Sequence, residues 1–161
     1  MYRIQHDIPG TLAIVARPRH GYWLANDIAR LKVGGVDVLA SLLEPAEAAD
    51  LGLDLEARAC AVAGIEFVSI PVPDHGVPER AQEFLAAAES LRKQVAAGRT
   101  VGIHCYASIG RSSLLAATIL VLAGDQPEQA WSKAAKARGT SVPETGAQRR
   151  WVDSLVPRPC R

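Results

Sequence analysis

The segment VGIHCYASIGRSS, Val101 to Ser113, decides how the rest of the chain is read. An apolar run ends in a cysteine; after five more residues, an arginine and two serines open a second apolar run, LLAATILVLA. The first run has the length and content of a buried strand. The second is apolar on every side and reads as a central helix over about 111–123, stopped by Gly124. Tyr106, Ala107, Ser108, Ile109 and Gly110 must then turn tightly from strand to helix. Such a turn aims backbone N–H groups inward, and the helix N-terminus adds positive potential. Arg111 offers a planar fork to two phosphate oxygens. The same field favours the thiolate form of Cys105, and Ser112 or Ser113 is placed to donate a hydrogen bond to the sulfur. A nucleophile beside a site for a tetrahedral dianion is the equipment for phosphoryl transfer through a phosphocysteine.

Working outward, LAIVA (12–16), VDVLASLL (36–43), EFVSIPV (66–72) and TVGIHC (100–105) read as buried strands. Helical periodicity falls between them: over 22–32, stopped by Gly34-Gly35, over about 54–63, and over 78–97. Two further helices follow the central one. Asp125 with Glu128, and Ser141 with Glu144, predict their capping boxes. Strands alternating with helices, then a helical tail, predict an α/β fold with a mostly parallel sheet of four to five strands flanked by helices. In such sheets ligands bind beyond the carboxyl ends of the strands, which is where the loop after TVGIHC lies.

The 161 residues suit a single domain over 1–161. A net charge of +1 gives no global attraction to nucleic acid or an anionic membrane, so any anion affinity is local. The N-terminus lacks the apolar core of a signal peptide and no apolar run is long enough to span a bilayer. A cytoplasmic monomer is the expectation. Three cysteines form neither a disulfide framework nor a C-x-x-C pair. Cys60 reads as a packing residue and Cys160 as a chain-end residue, rather than as resolving thiols. No His/Cys/Asp cluster has metal-ligand spacing.

His-Cys-x5-Arg-Ser resembles the signature loop of the cysteine-dependent protein phosphatases. IPVPDHGVP resembles the general-acid loop of their small atypical dual-specificity branch, which includes the kinase-associated phosphatases; Asp74 stands 31 residues before Cys105. RPRHGYWLANDIARLKVGGVDVLASLLEP resembles that branch's N-terminal half and SVPETGAQRRWV its closing helix. The resemblance implies a protein tyrosine phosphatase-like fold, no cofactor, and a phosphorylated protein or peptide as substrate. It implies Cys105 as nucleophile, Arg111 as phosphate ligand, Asp74 as general acid and then base, and Ser112 as the group assisting thiolate departure. His104 would buttress the loop, and Gln148 occupies a place where some relatives position the hydrolytic water.

Ser108 departs from the family pattern, which has glycine there; Gly110 is retained. Glycine eases an unusual backbone conformation, so serine implies strain of about 1–2 kcal/mol. Arg19 and Glu44 each admit two readings: a pocket residue or a solvated arginine, an active-site edge or a helix cap. His75 reads as solvent-facing, and Trp23, Trp131 and Trp151 as helix packing. Apart from Arg111 the loop carries no basic residue, whereas phosphoinositide-type relatives tend to place lysines there; the resemblance therefore implies phosphotyrosine, with phosphoserine or phosphothreonine, over a lipid. A slow phosphate-binding module and a rhodanese-like sulfurtransferase are the competing functions. The upstream acid loop disfavours the latter, since sulfur transfer needs no general acid.

Overall fold

Five strands form one sheet in the order β1-β2-β5-β3-β4, in a computed structural model that describes residues 1–156. The strands are β1 (Tyr2–Ile4), β2 (Thr11–Ile14), β3 (Val38–Ser41), β4 (Glu66–Ser69) and β5 (Thr100–His104). All neighbouring pairs are parallel except β1 and β2. The predicted strands are present, each shorter than its apolar run. β1 was not predicted: with only Ile4 of its residues buried, it carries no alternation to read.

The helices are α1 (Leu24–Val33), α2 (Pro45–Asp50), α3 (Glu56–Ala63), α4 (Ala81–Ala96), α5 (Gly110–Leu122), α6 (Pro127–Arg138) and α7 (Gly146–Asp153). Side chains alternate across the sheet. Val38 and Ala40 join the cluster containing residues of α4, α5, α6 and α7, whereas Leu39 joins the opposite cluster with α1 and α3. Every residue of α5 from Gly110 to Leu120 is buried, as expected of a helix apolar all round.

Both predicted capping boxes are displaced. The α6 box is formed by Gln126 and Gln129, and the α7 box by Thr145 and Gln148. Asp125 instead accepts two hydrogen bonds from Lys133. Pro127 occupies the first helical position, where its fixed φ suits helix entry, so the cap falls on the residue before it. Cys160 lies outside the described residues.

Candidate functional site

Because β2, β5 and β3 are parallel, their carboxyl ends emerge on one edge of the sheet, and the loop 105–109 sits among them. Alternation along β5 decides what each neighbouring side chain meets. Cys105 points to the α5 side and is 2% exposed. His104 is fully buried, its Nε2 2.8 Å from Oε1 of buried Glu56 on α3. Its Nδ1 lies 3.4 Å from the Cys105 carbonyl, so the imidazole links α3 to the start of the loop.

Ser108 adopts φ 56°, the left-handed region that favours glycine. Its hydroxyl donates to the Val15 carbonyl at 2.7 Å, and its own carbonyl accepts from Arg138 Nε at 2.7 Å. The strain foreseen from the sequence is thus present, and the serine side chain ties the loop to the end of β2. Gly110 meets a different demand: a Cβ there would collide with the Glu144 carboxylate and lie 3.1 Å from Gln148 Nε2. The Ser112 and Ser113 hydroxyls are buried with no hydrogen-bond partner among the described residues.

Arg111 is 1% exposed, at the first turn of α5. Its Nη1 and Nη2 donate to Glu47 at 2.7 and 2.8 Å, and Nη1 also donates to the Val72 carbonyl at 3.1 Å. Nη2 lies 3.0 Å from Asp74 Oδ1. Burial disfavours the guanidinium charge, but Glu47, Cys105 and Asp74 outweigh it and hold the pKa above its ordinary value. In return, the hydrogen bonds from Arg111 hold Glu47 below the ordinary glutamate value, against the effect of burial. One cation therefore joins the loop, α2 and the segment carrying Asp74.

The segment after β4 runs through Pro71 and Pro73 to Asp74, which is half exposed. Pro73 accepts a hydrogen bond from Gly76 N at 2.8 Å, closing a turn in which His75 takes φ 56°. Gln148, fully buried on α7, donates to the Gly76 carbonyl at 3.1 Å. His75 stands between Asp74 and Glu144, at 3.5 and 3.7 Å. The turn bearing Asp74 is thereby fastened on one side to Arg111 and on the other to α7.

A family model described as a polymorphic toxin system DSP-PTPase phosphatase matches residues 14–125, more than half of the chain. The chain belongs to this family. It is a cysteine phosphatase of the dual-specificity type. Solved structures agree on the fold. Kinase-associated phosphatase, with its catalytic-site cysteine replaced by serine, has a TM-score of 0.79 at 23% identity, over 90% of this chain and 85% of that one. The active form of Tk-PTP has a TM-score of 0.75 at 19% identity, over 96% and 98% of the two chains. PTPMT1 in complex with PI(5)P has a TM-score of 0.68 at 21% identity, over 89% of each. No curated protein sequence matches.

In this phosphatase the fold gathers Cys105, Arg111, Asp74 and Gln148 around one loop. Gln148 uses both ends of its amide, on Gly76 and on the Thr145 backbone N–H, so here it is a clamp on the Asp74 turn. Glu44 is the N-cap of α2. Arg19 is committed to Asp27 at 2.7 Å and to the Trp23 face. Trp23 is 49% exposed and packs less than predicted, whereas Trp131 is buried and Trp151 meets Phe84 at 5.1 Å. Cys60 is fully buried, and burial, helped by Glu56, pushes its thiol up to about 12, which suits inert packing on the face opposite Cys105. One residue that touches the site escaped the sequence reading, Glu47. Glu47 stands three residues after its cap, the capping-box pattern, but nothing local links it to Arg111.

Ser108 yields a stability test. Ser108→Gly relieves left-handed strain of about 1 kcal/mol but loses a buried hydrogen bond of similar worth, so its melting temperature should stay near wild type. Ser108→Ala loses the same bond to Val15 but keeps the strain, so it should be less stable than Ser108→Gly by that strain alone, about 1 kcal/mol. Equal melting of the two variants would contradict this account.

Proposed function

We propose that the chain is a metal-independent phosphoprotein phosphatase working through a phosphocysteine, as one domain spanning 1–161. The observation that carries this reading is the 3.0 Å contact between Arg111 Nη2 and Asp74 Oδ1. It brings a carboxyl acid to the loop whose first residue is Cys105. In the first step the Cys105 thiolate attacks phosphorus while the ester P–O bond breaks and Asp74 gives its proton to the leaving oxygen. In the second, water attacks the phosphorus of the phosphocysteine, Asp74 takes a proton from it, and the P–S bond breaks to release phosphate and the thiolate. Arg111 and the N–H groups opening α5 stabilise the charge on the transferring phosphoryl group. Ser112, with its buried hydroxyl free of partners among the described residues, is assigned to the departing sulfur. His104, held by Glu56, buttresses the loop.

Phosphotyrosine is the favoured substrate, with phosphoserine or phosphothreonine admitted by the half-exposed Asp74 and the 53% exposed Tyr106 at the rim. The reading as a silent phosphate binder rested on Ser108. Two hydrogen bonds hold its left-handed conformation, which supports an ordered loop and the catalytic reading.

Turnover of an aryl phosphate and of phosphopeptides, measured in chelator, tests the proposal against Asp74→Ala. The variant should lose about 10²-fold with phosphopeptides, whose leaving group needs a proton, and clearly less with a phenol that leaves unaided. An equal loss on both substrates would remove Asp74 from the acid role. Wild-type turnover of thiosulfate with cyanide, and none of phosphate esters, would establish sulfur transfer instead.

A further inference from the structure

The chain leaving β2 runs past the mouth of the site. Val15 accepts the Ser108 hydroxyl, Pro18 is buried, and Arg17 between them turns its guanidinium over Tyr106, the residue after Cys105. The guanidinium carbon lies 4.8 Å from the ring centroid. Arg17 is half-buried and its Nε is fully shielded from solvent, yet among the described residues it has neither a hydrogen bond nor a carboxylate partner. The arginine two residues on, Arg19, is by contrast held by Asp27 with three hydrogen bonds. Arg17's charge is felt at the site: it adds to the forces that keep Glu47, the partner of Arg111, ionised.

A half-buried cation without a partner is costly unless something anionic meets it. The ring of Tyr106 fixes its position but cannot neutralise it. Arg111 already has two carboxylates within reach, Glu47 and Asp74, whereas Arg17 has none among the described residues.

We propose that Arg17 forms a second anion subsite at the mouth of the phosphatase site, selecting phosphopeptides that carry a carboxylate or a second phosphate on a residue flanking the phosphorylated one. The proposal rests on the phosphatase reading above. A peptide fits better than a polyphosphorylated headgroup, because one unpartnered cation among the described residues over the loop answers a single extra anionic group. The carboxylates of Glu47, Asp74 and Glu144 around the loop also repel a dense polyanion.

The test uses phosphotyrosine peptides of one sequence with aspartate, phosphoserine, alanine or lysine flanking the phosphotyrosine on either side. Binding is measured to Cys105→Ser and turnover with wild type. The acidic peptides should exceed the alanine peptide by about tenfold in affinity and in kcat/KM, the worth of one charge-assisted hydrogen bond. In Arg17→Ala that ratio should fall to about twofold or less, and Arg17→Glu should reverse it in favour of the lysine peptide. No discrimination in wild type, or an unchanged ratio in Arg17→Ala, would overturn the subsite. A soluble inositol bisphosphate bound more tightly than every peptide would overturn the choice of a peptide. If wild type hydrolyses no phosphate ester while Cys105→Ser still sorts peptides through Arg17, the subsite stands and the proposed activity fails.

Discussion

Cys105→Ser is expected to reduce aryl phosphate turnover to below about 10⁻⁴ of wild type while leaving the phosphate site able to bind. The sulfur is the one side chain on this loop able to be both attacking group and leaving group at neutral pH. A hydroxyl in its place stays protonated and is expelled poorly. The substitution changes little in volume at a position that is 2% exposed, so the fold and the loop should survive it. Vanadate should still raise the melting temperature of the variant, because the N–H groups of the loop and Arg111 are untouched. Steady-state turnover and ligand-dependent melting check the two halves separately. Activity near wild type would place the nucleophile elsewhere, and loss of vanadate binding would mean the loop had collapsed.

Arg111→Ala should remove at least about 10³-fold in kcat/KM, since Glu47 and Asp74 would then face an incoming dianion with no cation between them. It should also destabilise the protein by about 2–4 kcal/mol, the cost of breaking a buried pair, at the lower end because Glu47 reaches water. The pH dependence follows from the sign of the Glu47 shift. Its folded pKa is held below the ordinary 4.5, so the pair stabilises the protein above that pH. The contribution is lost as the pH falls through the lowered folded value. Wild type and Arg111→Ala should therefore differ most near neutrality and converge in acid. Adding Glu47→Gln to Arg111→Ala should recover stability without recovering activity, and Arg111→Lys should keep charge but lose the fork and most of the rate. An Arg111→Ala protein melting like wild type would show that the Glu47 pair does no structural work.

The loop from Cys105 to Arg111 was legible because its chemistry, its strand and its helix are contiguous in the chain. Asp74 was legible through the family's acid-loop pattern. Helix caps were read less well: Asp125 and Ser141 have the right residue type, but Pro127 and the Thr145–Gln148 pair set the true helix starts. β1 was missed because a short edge strand with one buried residue leaves no periodic trace.

What the sequence by itself determined is the α/β alternation, the helix that must be central, and the strand–loop–helix run that carries Cys105 and Arg111. Each is a local pattern of polarity or of residue spacing, and local patterns survive in one dimension. Only the tertiary structure decided who partners the charges. It put Glu47 on Arg111 across 64 residues, Glu56 on His104 across the sheet, and Gln148 on the Asp74 turn. It also separated two arginines that look alike in the chain, turning Arg19 to Asp27 and Arg17 to the loop. A charge finds its partner through the fold, because Coulomb energy depends on distance and burial rather than on position in the chain.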